Sequence, residues 1–239
     1  MSQSAPGPLA LVGSGEYLPS MAAIEAGLLA GRPARYVQLA TAAVPDGPDV
    51  VARWHALGRE QAERLGVEPV VVDVVDRASA DDPAHAARVE GAGLVYLSGG
   101  HPAFLADTLR GTRVWAAIEE AWRAGAALAG CSAGAMALCA TVPSLRHPRR
   151  GATPGLGLLA RLRVIPHFDA FGARLPDAML RALVPRDDGV VVVGVDEETA
   201  LVGGPDRWRV EGRASAWVLT REGRVEHPAG TTLDVAPLS

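Results

Sequence analysis

The sequence predicts an α/β sandwich, in which helices cover both faces of a mostly parallel sheet and an antiparallel meander of strands follows. Short apolar runs, often β-branched and flanked by Gly or Pro, alternate with longer amphipathic segments. After residue 199 the pattern changes to short strands separated by turn signals. The length of 239 residues and the hydrophobic content of 49% suit a well-packed fold of this kind. We therefore expect residues 1–239 to form a single domain.

The predicted elements follow one another in a regular order. The apolar runs that predict strands are residues 9–12, 36–39, 67–75, 94–97, 126–129, 162–165 and 190–195. The segments that predict helices are residues 21–30, 50–65, 83–91, 103–110, 113–124 and about 175–184. The meander is predicted at residues 200–202, 208–210, 216–220 and 224–226, on an edge of the same domain. The Pro- and Arg-rich residues 143–154 predict a long surface loop.

Composition excludes several classes of function. A net charge of −4 argues against a basic nucleic-acid-binding protein. No apolar run approaches the roughly 18 residues of a membrane span, and no basic residue precedes the first apolar stretch, as a secretory signal would require. The two cysteines, Cys131 and Cys139, suit neither a disulfide framework nor a zinc site. These features predict a cytoplasmic protein without a bound metal.

A nucleophile motif stands at the end of the strand predicted at residues 126–129. Gly130-Cys131-Ser132-Ala133-Gly134 has the Gly-x-Ser-x-Gly pattern and leads into a helix of small residues. A nucleophile in such a strand-to-helix turn needs small neighbours, and the helix N-terminus supplies free N–H groups. Ser132 is the central residue and thus the predicted nucleophile. Cys131 is a rival that would require the turn to shift by one residue.

The base and the orienting acid are predicted from strand ends. His167 differs from the other five histidines because it follows an apolar strand directly, at the sheet edge where sites form. No Asp or Glu lies between Ser132 and His167, so the acid comes earlier or later in the chain. Glu197, after the strand at 190–195, is the first choice, and Asp196 and Asp169 are the alternatives. The hypothesis requires three strands of one sheet to end side by side.

Two glycine-containing loops follow other predicted strands. The backbone amides of Gly99 and Gly100, together with that of Ala133, predict an oxyanion hole, because paired glycines can turn their N–H groups into a pocket. The loop from Gly13 to Glu16 lacks the third glycine of a dinucleotide-binding fingerprint, since Leu18 occupies that position. We interpret this loop as a wall of the site, and we expect no organic cofactor.

Four motifs in order resemble the peptidase E and cyanophycinase family of serine hydrolases. They are Ser98-Gly99-Gly100, the segment 130–135, the segment 155–159 with Pro166-His167-Phe168, and the segment 195–201. The resemblance implies a flavodoxin-like, three-layer fold related to class I glutamine amidotransferases. It also implies that Ser132, His167 and Glu197 form the catalytic triad.

The same resemblance suggests the substrate class. Cyanophycinases carry Gln after the glycine pair and several arginines after His-Phe, and this sequence has His101 and a single Arg174 at these places. We therefore expect His101 and Arg174 to contact substrate, and cyanophycin to be a poor one. The predicted function is hydrolysis of small peptide or isopeptide bonds, including Asp-containing ones, by an exopeptidase or dipeptidase. A homodimer is suggested by resemblance alone, and neither nucleic acid nor membrane is expected as a partner.

A second hypothesis belongs to another class of function. The scaffold could serve as a binding or regulatory protein whose catalytic site is vestigial, because fold alone does not determine function. A third reading makes Cys131 the nucleophile of an amidotransferase-like reaction. The position of the imidazole of His167 relative to the hydroxyl of Ser132 distinguishes these hypotheses.

Overall fold

Five buried parallel strands form the centre of the protein in a computed structural model that describes residues 5–144, 151–170, 183–184 and 189–235. Their order across the sheet is β1-β5-β4-β2-β3, and each pair is in parallel register. The bounds are β1 Leu9–Val12, β2 Arg35–Leu39, β3 Glu68–Val71, β4 Leu94–Leu97 and β5 Ala127–Cys131. All four residues of β1 and of β4 are buried, which explains why these strands appear as continuous apolar runs.

Helices cover both faces of this sheet. On β1, Leu9 and Leu11 face one core and Ala10 and Val12 face the other, as the alternation of side chains along a strand requires. Helices α1 (Ala22–Leu29) and α2 (Pro48–Arg64) pack on the Ala10 side. The helices on the Leu9 side are α3 Arg77–Ala80, α4 Pro83–Ala87, α5 Pro102–Leu109, α6 Arg113–Arg123 and α7 Ala133–Leu138. The predicted three-layer α/β architecture is confirmed.

The C-terminal strands divide between two sheets. Beyond β1, the main sheet continues with antiparallel strands, in the order β10 Thr199–Gly203, β11 Arg207–Gly212 and β14 Thr232–Asp234. A second sheet has the order β13-β12-β9-β8, with β8 and β9 parallel. Its strands are β8 Leu162–Ile165, β9 Val191–Val195, β12 Ser215–Leu219 and β13 Arg224–Pro228.

This second sheet corrects the expectation of one continuous sheet. Strands β8 and β9 pair with each other and with β12, whereas β1 is flanked by β5 and β10. The two sheets pack through a shared apolar core, in which Val164 and Val193 accompany Leu201 and Trp208. A strand buried on both faces has the same apolar pattern in either sheet, so the pattern does not identify its neighbours. Strand β14 was not predicted.

Two predicted segments lie partly outside the described residues. The predicted loop at 143–154 begins and ends in two short paired strands, β6 Thr141–Pro143 and β7 Ala152–Pro154, and residues 145–150 between them are outside the description. The predicted helix at about 175–184 lies almost entirely outside it. The remaining described elements are two short 3₁₀ helices, Pro19–Met21 and Thr41–Asp46, which precede α1 and α2.

A buried carboxyl group on α1 makes stability depend on pH. Glu25 is 2% exposed, and the hydroxyl of Tyr36 donates a hydrogen bond of 3.0 Å to its Oε2. Burial raises the pKa of Glu25 from 4.5 to about 7. Between these two values the folded protein holds a proton that the unfolded chain has released. The free energy of unfolding therefore falls as pH rises from about 4.5 to 7, by about 3 kcal/mol in total.

We expect Glu25→Gln to raise the free energy of unfolding by about 3 kcal/mol at pH 8 and by much less at pH 4.5. The amide has no charge to desolvate, and its oxygen can still accept the hydrogen bond from Tyr36. Urea unfolding of both proteins at the two pH values measures the difference, with the acid measurement as the internal control. Equal differences at both pH values would contradict the assignment of the titration to Glu25.

Candidate active site

Ser132 occupies a sharp turn between strand β5 and helix α7. Its backbone has φ 48° and ψ −104°, which is a strained conformation for a residue with a side chain. The flanking glycines allow the strand and helix to approach closely. A Cβ on Gly130 would lie 2.5 Å from the carbonyl carbon of Gly134, and a Cβ on Gly134 would lie 2.3 Å from the carbonyl oxygen of Leu97. The predicted nucleophile elbow is therefore present in the backbone geometry.

Three predicted side chains form one hydrogen-bonded row. Ser132 Oγ lies 3.0 Å from His167 Nε2, and His167 Nδ1 lies 2.9 Å from Glu197 Oε1. About 40% of each of the His167 and Glu197 side chains is exposed, so the row opens to solvent. A hydroxyl, an imidazole and a carboxylate in this order are the groups that activate a serine nucleophile.

The second sheet supplies the base and the acid, and the main sheet supplies the nucleophile. His167 follows β8 with φ 51°, and its neighbour Phe168 anchors it. The Phe168 amide donates to the carbonyl of Val195 at 3.0 Å, and its ring occupies the space beside Gly194, where a Cβ would lie 2.4 Å from the ring. Glu197 lies between β9 and β10, where the chain passes from the second sheet into the main one.

Asp196, one alternative acid, has hydrogen-bond partners other than His167. Its carboxylate accepts hydrogen bonds from the indole of Trp217 at 3.0 and 3.1 Å and from the amide of Ser215 at 3.1 Å. Burial raises its pKa above the ordinary value, and the hydrogen bonds from Trp217 and Ser215 oppose that shift. Asp196 is thus a structural group in the second sheet.

Asp169, the other alternative, supports Glu197 through the backbone. Its Oδ1 accepts hydrogen bonds of 3.0 Å from the amides of Glu197 and Ala170. The side chain therefore links the loop after β8 to the turn that carries Glu197, and Asp169 is a positioning residue.

We expect Asp169→Ala to lower kcat about tenfold, because a turn without this link holds Glu197 less firmly. Asp169→Asn is the matched control, since its amide oxygen can accept the same two hydrogen bonds. Steady-state kinetics on an accepted peptide, with circular dichroism to check folding, measure the effect. An equal loss in both variants would indicate a role for the charge itself, and no loss in either would remove Asp169 from the site.

Glu16 is a further residue of the site: its loop was predicted to form a wall of the site, but no individual role was predicted for Glu16. Its Oε2 accepts a hydrogen bond of 2.9 Å from the thiol of Cys131. Cys131 is fully buried, and burial raises the pKa of its thiol well above the ordinary value, with a further contribution from the Glu16 charge. A buried neutral thiol is a poor nucleophile, so the structure argues against the Cys131 reading. The available signal was the position of Glu16 in the loop after β1.

The amide of Gly99 is a second hydrogen-bond partner of Glu16. It donates a hydrogen bond of 2.9 Å to Glu16 Oε1, so it is not free for an oxyanion, which corrects the prediction for Gly99. The amides of Gly100 and Ala133 donate no hydrogen bond to the described part of the chain. Gly100 has φ 137°, and a Cβ there would lie 2.3 Å from the carbonyl oxygen of Ala42.

The two predicted substrate contacts have different outcomes. His101 lies just before α5 and places Nε2 2.8 Å from Asp46 Oδ1, with about half of each side chain exposed. Arg174 lies outside the described residues.

A cleft of about 450 Å³ lined by residues 30–33, 91–92, 121 and 124–126 lies at the opposite edge of the sheet from Ser132, where β2, β4 and β5 begin.

Two further observations apply to the described ranges alone. None of the helices found there has both the length and the apolar character needed to cross a bilayer. In the same ranges, no three His, Cys, Asp or Glu side chains gather in a group that could hold a metal ion.

Comparisons with known proteins agree with this fold. The model of peptidase family S51 matches residues 34–209. A crystal structure of a peptidase from an acI-B1 Actinobacterium is 40% identical and has a TM-score of 0.88, with 98% of each chain covered. A protein from Listeria monocytogenes EGD-e described as peptidase E shares the fold at 14% identity and a TM-score of 0.59, over 95% of this chain and 100% of that one. No curated protein matches the chain.

Proposed function

This chain belongs to peptidase family S51, and on that premise we propose that it hydrolyses small peptide or isopeptide bonds through an acyl-enzyme on Ser132. The observation that supports the proposal is the row of contacts of 3.0 and 2.9 Å that joins Ser132, His167 and Glu197. The general class of this function is serine peptidase. The specific class that we propose is exopeptidase or dipeptidase.

Acylation begins when His167 Nε2 takes the proton of Ser132 as Oγ attacks the carbonyl carbon of the substrate. Glu197 accepts a hydrogen bond from Nδ1–H, which fixes the tautomer and stabilises the imidazolium as it forms. When the tetrahedral intermediate collapses, the C–N bond breaks and His167 returns the proton to the leaving amine. Water then attacks the ester by the same steps and releases Ser132.

Backbone amides would hold the negative oxygen of the tetrahedral intermediate. Ala133 is the first residue of α7, so its N–H has no partner within the helix. We assign the oxyanion to the amides of Ala133 and Gly100, each contributing on the order of 3 kcal/mol to transition-state stabilisation. The helix N-terminus favours negative charge at the same place.

The rest of the proposal concerns substrate and setting. We assign His101 and Arg174 to substrate contacts. The proposed partner is a small peptide in the cytoplasm, and the catalytic cycle uses no metal or organic cofactor. We also propose that the protein forms a homodimer.

A dipeptide library tests the substrate class directly. It includes Asp-X and β-Asp-X members, and amine release is read for the wild-type protein against Ser132→Ala. We expect a subset of dipeptides to be cleaved by the wild type alone. Cleavage that persists in the variant, or no cleavage of any member, would contradict the proposal. Labelling of the folded protein by a fluorophosphonate separates an active serine from a vestigial, ligand-binding site.

A further inference from the structure

Glu16 is held beside the nucleophile by two neutral donors. The amide of Gly99 donates to Oε1 at 2.9 Å, and the thiol of Cys131 donates to Oε2 at 2.9 Å. The side chain is half-buried at the carboxyl edge of the sheet, in the loop that follows β1. Because each oxygen has its own donor, the carboxylate has a defined position and orientation.

The Glu16 carboxylate has no cationic partner in the described part of the chain. No Arg or His nitrogen of those residues lies within 4.0 Å of Glu16, although such pairs occur for the nearby Glu197 and Glu198. A half-buried carboxylate without a cation favours a positively charged ligand group, since hydrogen bonds from neutral donors leave its net charge in place.

The carboxylate is also close to the reacting atoms. The point where a Cβ on Gly99 would lie is 2.6 Å from Glu16 Oε1 and 3.5 Å from the Cβ of Ser132. Glu16 Oε1 is therefore no more than about 6.1 Å from the Cβ of Ser132, and a cation that it binds would lie close to the nucleophile. In an α-linked peptide, the ammonium group of the first residue is one carbon away from the carbonyl that Ser132 attacks. The charge of an Arg or Lys side chain is several carbons farther away.

From these contacts we propose that Glu16 binds the α-ammonium group of the substrate and selects peptides whose first residue has a free amine. This assignment rests on the proposed hydrolysis at Ser132. Glu16 acts as a specificity-determining residue: it orients the first residue so that its carbonyl faces the hydroxyl of Ser132. A peptide without that ammonium group leaves the Glu16 charge desolvated and unpaired.

Matched substrates test the proposal. A cleaved dipeptide is compared with its desamino analogue, in which hydrogen replaces the ammonium group without added bulk. We expect the wild type to lose on the order of 100-fold in kcat/KM on the analogue. Glu16→Gln should lose a similar factor on the free-amine peptide and then cleave both forms at similar rates.

The control is Glu198→Gln, which removes a carboxylate close to the same loop. A Cβ on Gly15 would lie 3.0 Å from Cγ of Glu198, so Glu198 is next to the same loop. Its carboxylate, however, forms an ion pair with Arg213, with 3.3 Å between Oε1 and Nη2. We expect this variant to keep the wild-type preference for the free amine. If Glu16→Gln lowers kcat/KM equally on both substrates, its role is structural and the proposal is overturned.

A binding measurement separates failure of this inference from failure of the proposed reaction. Isothermal titration calorimetry of the same peptide pair with Ser132→Ala measures binding affinity in the absence of turnover. Tighter binding of the free amine to this variant, lost in Ser132→Ala/Glu16→Gln, supports the role of Glu16 whatever the catalytic outcome. Equal binding of both peptides to Ser132→Ala would overturn it.

Discussion

Ser132→Ala is expected to lower kcat for peptide hydrolysis by on the order of 10⁴–10⁶-fold, because the proposed acyl-enzyme forms on the Ser132 hydroxyl. The change removes one hydroxyl and introduces no new side-chain volume, so the fold should be retained. Single-turnover kinetics and fluorophosphonate labelling measure the loss, and circular dichroism confirms folding.

Two control variants make this expectation specific to the elbow. Ser14→Ala removes another buried hydroxyl near the site and should leave the rate close to that of the wild type. Cys131→Ala removes the neighbouring thiol and should leave labelling of the protein intact. Labelling that depends on Cys131 and not on Ser132 would reverse the assignment of the nucleophile.

Glu197→Gln is expected to lower kcat by about 10³–10⁴-fold. The new amide can donate a hydrogen bond to Nδ1, which favours the imidazole tautomer whose Nε2 carries the proton and cannot act as base. The matched control is Asp196→Asn, one residue earlier, which should cost about 1–3 kcal/mol of stability through its contacts with Trp217 and Ser215. Its effect on kcat should be small.

Kinetics and urea unfolding of the two variants separate a catalytic acid from a structural one. A large loss of kcat in Asp196→Asn with an active Glu197→Gln protein would contradict the observed hydrogen-bonded row.

The arrangement of the site was predictable to the extent that it depends on strand ends. Ser132, His167 and Glu197 each follow a buried apolar strand, and this was visible in the sequence because short β-branched runs are distinctive. The choice between Asp196 and Glu197 required the structure. Neighbouring residues at a strand end point to opposite sides, and only the packing of Trp217 shows which side is the interior.

The partners of the strands and the role of Glu16 were beyond the sequence pattern. Pairing of β8 with β9, and of β9 with β12, depends on contacts between distant segments that all have similar apolar character. The engagement of the Gly99 amide by Glu16 joins loops that are 83 positions apart. A motif of glycines indicates where backbone amides can turn, but it does not identify the acceptor that reaches them.

The division of the row between two sheets has a consequence for how the site is assembled. A nascent chain in which only the central sheet has formed displays Ser132 without its imidazole, because His167 and Glu197 arrive with the second sheet. The row is complete only where the two sheets are packed together, so a molecule whose sheets have separated lacks the contact between Ser132 and His167 even if each sheet is intact.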